Sequence, residues 1–162
     1  MTSFGIVVRM ILMKKLSLYI FLVLMWCNVG STETYDELEI RAVKKLQSEY
    51  LFCHAFYAIS ETAFDDPTSE SFKYIIEQKK LFLKEASDIE FSLLALAGEE
   101  LLDEERLFKE KIQPKLDEAF TEAWKSVDLP SVDFVKKNNK FCQEILNNSR
   151  PRIEYWIKKL QE

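Results

Sequence analysis

Residues 35–64 read YDELEIRAVKKLQSEYLFCHAFYAISETAF, thirty residues without a glycine or proline. Within them Leu38, Ala42, Leu46, Tyr50, Cys53, Tyr57 and Phe64 fall at steps of three, four or seven. That spacing puts them along one face of an α-helix, since 3.6 residues make a turn. Thr34 and Glu37 stand at capping-box spacing, where each satisfies a free amide of the first turn. Asp65-Asp66-Pro67 ends the segment, because proline disfavours a helical residue before it.

Three more helical segments follow. The second begins near Ser69 with Thr68 as its expected N-cap, and Phe72, Ile75, Phe82, Ala86, Ile89 and Leu93 mark its apolar face. From Phe91 to Ala97 it is apolar on several sides, so this end is expected either to be the most buried or to meet a partner. Gly98 is a natural residue just past a helix end. The third segment is expected over 99–127, with Leu101, Phe108, Ile112, Leu116, Ala119 and Ala123 on its stripe and a kink or break at Pro114. A rival reading joins the second and third through Gly98 and stops at Gln113. Asp128-Leu129-Pro130 makes the next turn, and Ser131 caps a fourth segment whose inward residues include Val135, Phe141, Cys142, Ile145, Ile153, Trp156 and Leu160. Pro151 follows Asn147-Asn148-Ser149, where the helix restarts. Pairs such as Glu37/Arg41, Glu105/Lys109 and Glu154/Lys158 sit at i,i+4 on outer faces. Few glycines (three) and prolines (four) favour long helices over many short strands. The expected fold is all-α, an up-down-up-down four-helix bundle over residues 32–162.

Residues 1–31 read as a secretory signal peptide rather than as part of the bundle. Lys14 and Lys15 form a basic start, an apolar run follows from Leu16 to Cys27, and small residues appear at Gly30 and Ser31. Met13, directly before the lysine pair, is a second candidate start. The run of 12 residues is short of the roughly 20 that a membrane-spanning helix needs. A lipoprotein cut before Cys27 would need a small residue where the bulky Trp26 stands. In style the leader is similar to Gram-negative bacterial signal peptides, which implies a periplasmic or secreted protein.

The full chain carries 22 bases and 27 acids. Arg9, Lys14 and Lys15 lie in the leader, which has no acid, so 19 bases remain against 27 acids and the mature net charge is near −8. Nucleic acid and anionic membrane surfaces call for the opposite sign.

Cys53 and Cys142 remain after the leader, and an exported pair normally forms a disulfide. Helical geometry tests the idea. In a bundle the first and fourth helices are antiparallel neighbours. Cys53 lies about 27 Å up the first helix, and Cys142 about 15 Å down the fourth from a top near 45 Å. The heights agree within a helical turn, both cysteines are on inward stripes, and a bridge closing 89 residues is expected.

Catalytic chemistry is poorly provided. The one histidine, His54, rules out a di-iron site built from two Glu-x-x-His pairs. There is no Cys-x-x-Cys pair for haem, zinc or redox work. Cys53 and His54 are adjacent on a helix and point about 100° apart, so they do not pair as nucleophile and base; His54 is expected at a boundary. The acids Glu99, Glu100, Asp103, Glu104 and Glu105 follow no EF-hand pattern and suit a helix N-terminus. Asn147-Asn148-Ser149 has the form of a glycosylation sequon, relevant only in a eukaryotic secretory pathway.

The resulting expectation is a non-catalytic exported protein without cofactor or metal, binding a protein, peptide or envelope component. Its expected contact surface is Phe91, Leu94 and Leu96, where the one-sided stripe breaks down. The alternative is a small-ligand or cofactor carrier with a pocket between the helices.

Overall fold

The computed structural model describes residues 33–64, 66–126 and 132–162, with side chains described from 37 in the first stretch and from 135 in the last. The leader and its cleavage point, Asp65, the 127–131 turn and the Ser131 cap lie outside them. Everything below concerns the compact unit Tyr35–Glu162. All regular structure among the described residues is helical: α1 (Glu33–Glu61), α2 (Glu70–Ala97), α3 (Glu104–Leu107), a π turn (Phe108–Ile112), α4 (Gln113–Lys125), α5 (Val132–Asn147) and α6 (Ser149–Gln161). Helix α1 begins one residue ahead of the expected cap, Thr34.

The ends of α2 follow local chemistry. Ser69, not Thr68, is the N-cap: its hydroxyl accepts from the Phe72 amide at 3.2 Å. Thr68 instead donates both its amide and its hydroxyl to the Asp66 carboxylate, at 2.8 and 2.6 Å, closing the turn one residue earlier. At the other end Gly98 takes a left-handed conformation (φ 68°), its amide donating to the Ala95 carbonyl and the Glu99 amide to that of Leu94. This double bond pattern is a Schellman stop, so α2 does not continue into the next helix.

The third segment starts later than its composition suggests. Residues 99–103 are not helical, and Asp103 caps α3 by accepting from the Arg106 amide at 2.9 Å. The shift exchanges two leucines: Leu102 is buried with Leu94 and Leu107, while Leu101 faces solvent. Pro114 brings no break. Helical dihedrals run on from α3 through the π turn into α4, where Gln113 N–H reaches back to the Phe108 carbonyl. The wider turn just before Pro114 relieves the clash between its ring and the preceding carbonyl. It also places Leu107 and Ile112, five residues apart, both inside. Asn148 (φ −132°, ψ 41°) separates α5 from α6.

Helix α1 is the centre. Of the stripe read from its sequence, Ala42, Leu46, Tyr50, Cys53 and Tyr57 are buried, Leu38 is half-buried, and Phe64 lies past the end of α1; the consecutive run from Cys53 to Tyr57 is buried too, with Leu51, Ile59 and Ser60. Five successive buried residues cover the whole circumference, so α1 is enclosed on all sides from Cys53 to Tyr57. Antiparallel to it runs α2, with Tyr50 against Phe82 and Tyr57 against Tyr74. Helices α5 and α6 are also antiparallel to α1, through Tyr57–Asn139, Cys53–Cys142 and Glu49–Arg152. The direction of α4 is parallel: Gln47 meets Lys115 and His54 meets Phe120.

Cys53 and Cys142 are bonded, with their Cα atoms 5.7 Å apart and both residues fully buried. The link ties α1 to α5 across 89 residues. Constraining a loop of that length in the unfolded chain contributes about 4 to 5 kcal/mol in the chain-entropy treatment. Reduction, or replacement of both cysteines by Ala, should lower the melting temperature by about 10–20 °C while the far-ultraviolet circular dichroism stays helical. An unchanged melting temperature would show that the bridge adds nothing.

Candidate functional site

The expected contact residues separate. Leu94 is 4% exposed and packs under the α2–α3 connection against Leu102 and Leu107, so it is a small satellite core residue rather than a contact. Phe91 and Leu96 are 36% and 46% exposed. One helical face places Leu94 inward and turns Leu96, about 200° further round, outward. The densest acid run is absorbed locally: Asp103 caps, Glu104 and Glu105 fill the first turn of α3, Glu99 pairs with Lys111 at 3.2 Å and Glu100 with Arg106 at 3.6 Å. Among the described residues no group of three or more potential ligands is placed to hold a metal ion.

His54 lies inside, not at a boundary. Its Nδ1–H donates to the Lys79 carbonyl at 2.8 Å and its ring meets Phe120 edge-on. Burial lowers its pKa, and the Lys79 ammonium adds to that; the carbonyl bond opposes both. Tyr50 is pushed up to about 12, chiefly by burial and then by Glu85. Tyr57 is raised further by burial, its hydroxyl donating to Asn139 Oδ1 at 2.6 Å. These phenols stay protonated at neutral pH. Trp156 Nε1 and Ser60 Oγ are buried and have no hydrogen-bond partner among the described residues.

A concavity of about 790 Å³, open to solvent, runs where α4 diverges from α5 and α6 and leaves a strip of α1 uncovered. Its floor is Leu51, Phe52, Phe141 and Trp156, with Phe52 and Phe141 in edge contact at 6.3 Å. In its wall, reaching inward from Gln47 and Lys115, lies a polar knot that the sequence does not announce. Glu90 is buried on α2 and accepts from Gln47 Nε2 at 2.7 Å and from the Lys115 ammonium. Gln47 also donates to the Ala86 carbonyl at 3.0 Å, while its own Oε1 accepts from Lys115 at 3.0 Å. Nearby, the Arg152 guanidinium grips both oxygens of Glu49 and stacks over Tyr155 at 4.5 Å and Trp156 at 5.5 Å. Lys45 sits 5.8 Å from the Trp156 ring centre.

Around the rim the charges are unspent. Lys44 on α1, Lys137 on α5, and Glu118 and Glu122 on α4 form no ion pair among the described residues. A smaller concavity of about 360 Å³, also open, lies at Tyr57, Tyr74 and Asn139. Sequence reasoning reached Phe141 and Trp156 as inward residues. It missed the groove, because nothing local says that α4 and α5 part company.

No family model, curated protein or solved structure matches this chain.

Two outcomes follow from this geometry. Lys115→Met leaves the buried Glu90 carboxylate without its cation and should cost about 1–3 kcal/mol, less than a fully buried pair because Lys115 is half exposed. Combined with Glu90→Leu, the two losses should fall short of their sum by about 1 kcal/mol or more in urea unfolding; strict additivity would mean the two are not coupled. His54 is neutral in the fold and binds protons more readily when unfolded. Its contribution to stability is therefore complete above the unfolded pKa of 6.5 and is lost as pH falls toward the lowered folded value. His54→Leu should flatten the fall of the urea midpoint as pH drops below 6.5; an unaltered slope would assign the titration elsewhere.

Proposed function

We propose that this chain is an exported, non-catalytic four-helix bundle of up-down-up-down topology that binds a protein or peptide partner along the groove between α4 and α5–α6. The alternating helix directions support the topology, with α3, the π turn and α4 counted as one helix and α5 and α6 as another. The charged, apolar and small-residue pattern of the leader supports removal of residues 1–31 and delivery to the periplasm or beyond. A buried disulfide suits that oxidising destination. Among the described residues no helix is long and apolar enough to cross a membrane.

The observation that carries the binding reading is the groove itself. An aromatic floor lies open beside unpaired charges of both signs, which is the composition of a recognition surface: apolar anchors in the middle and charged groups at the edge. The core around α1 is filled with side chains, and the two concavities described are open rather than enclosed. That favours a macromolecular partner over a carried small molecule, which binds with most of its surface covered. The expected contact surface moves accordingly, from Phe91, Leu94 and Leu96 to Phe52, Phe141 and the rim charges.

A photo-crosslinking amino acid placed at Glu118, on the rim, should give a discrete adduct in intact cells. The same group at Glu77, exposed on α2 away from the groove, should give none. Absence of an adduct at position 118, or equal labelling at both positions, would remove the groove as the binding surface.

A further inference from the structure

We infer that the occupant of the groove is an amphipathic α-helix of a partner protein, carrying basic residues along one edge and acidic residues along the other. The inference rests on the binding reading above and adds the partner's chemistry.

Three features of the groove lead there. Every surface that lines it is helical, and the lining repeats at helical steps: Ser48 and Phe52 on α1, Glu118 and Glu122 on α4, Lys137 and Phe141 on α5. Ridges spaced this way accept the complementary ridges of another helix. Strand addition needs an exposed sheet edge, and the described residues contain no strand.

The concavity of about 790 Å³ is open to solvent, so a helix about 10 Å across lies along it with one face outward. Two turns present an apolar stripe of three or four side chains, enough to cover Phe52 and Phe141.

Charge then sets the edges. On α4, Glu118 and Glu122 stand beyond Lys115, whose charge is already met by Glu90, while Lys137 lines the groove from α5 and Lys44 from α1. No ion pair links these four among the described residues. Elsewhere exposed charges do pair at helical spacing, as Lys84 does with Asp88 and Arg106 with Glu110. The unpaired carboxylates of α4 and the unpaired Lys137 of α5 are matched by a helix with a basic edge toward α4 and an acidic edge toward Lys137. A helix of one sign meets a repelling bank in either direction, so the rim selects for mixed edges.

Three synthetic peptides of about 14 residues, each stapled into a helix, share one apolar stripe and differ only at their edges: Lys on one and Glu on the other, Lys on both, or Glu on both. Binding to the full mature protein is read by fluorescence anisotropy at low salt. The mixed-edge peptide should bind about tenfold tighter than either single-sign peptide, with the preference shrinking as salt is raised. In Glu118→Lys/Glu122→Lys, both banks are basic and the order should change, with the Glu-edged peptide binding best. Both positions are solvent-exposed, and an unchanged melting temperature checks the fold. Equal binding of all three peptides, no binding of any up to millimolar concentration, or no change of order in the double variant would overturn the helical occupant. A crosslink at position 118 with those peptide results would leave the groove as a binding surface and remove only the helix. Self-association abolished by the same double variant would make the occupant a second copy and overturn the partner helix.

Discussion

Enclosure of α1 constrains everything else in this fold. A helix covered on one face needs only an apolar stripe, but from Leu51 to Ser60 almost every residue of α1 is out of water. An unpaired buried donor or acceptor costs about 1–3 kcal/mol; Ser60 Oγ finds no partner among the described residues, but Gln47, His54 and Tyr57 do. Each of three partners comes from a different region. Gln47 bonds to α2 and α4, His54 to the middle of α2, and Tyr57 to α5. Apolar packing is non-directional and tolerates sliding; hydrogen bonds of fixed length do not. These polar contacts, with the Cys53–Cys142 bond, therefore fix the register of the surrounding helices on α1.

The knot of Gln47, Glu90 and Lys115 illustrates the balance. A buried carboxylate is expensive unless it is both paired and hydrogen-bonded, and Glu90 is both. Such an arrangement contributes less to net stability than an apolar cluster of the same volume would. What it adds is discrimination, because a slip of α4 along α1 separates Lys115 from two acceptors at once. The same contact sets where α4 lies, and hence where it diverges from α5–α6 and leaves Phe52 and Phe141 in reach of solvent.

Around that opening the Arg152 stack has a matching role on the far bank. A guanidinium bonded to Glu49 and layered over Tyr155 and Trp156 holds α6 against α1 with little freedom. One bank is thus pinned by Lys115 and the other by Arg152. A groove between two pinned banks is preorganised, and a ligand that enters it loses little free energy to ordering the walls.

The sequence by itself determined the helical class, the reach of α1 to within three residues, the stop at Gly98, the restart near Pro151 and the pairing of Cys53 with Cys142. All of these rest on local spacing or on rise per residue, which belong to the helix and not to its neighbours. It located the N-cap of α2 within one residue, because Thr68 and Ser69 are both capable and only the Asp66 turn chooses between them. Tertiary structure decided the rest. Leu101 and Leu102 are equivalent in composition, and the Asp103 cap with the Leu94–Leu107 contact put one outside and the other inside. Phe91, Leu94 and Leu96 looked like one surface until the fold above α2 claimed Leu94. His54 read as a boundary residue on a one-sided helix, and nothing in the spacing singled out Gln47; both are interior because three elements converge on α1, and convergence of distant segments leaves no mark in local periodicity. The groove is the same case in reverse. It exists where two helices fail to meet, and a missing contact has no residue of its own to announce it.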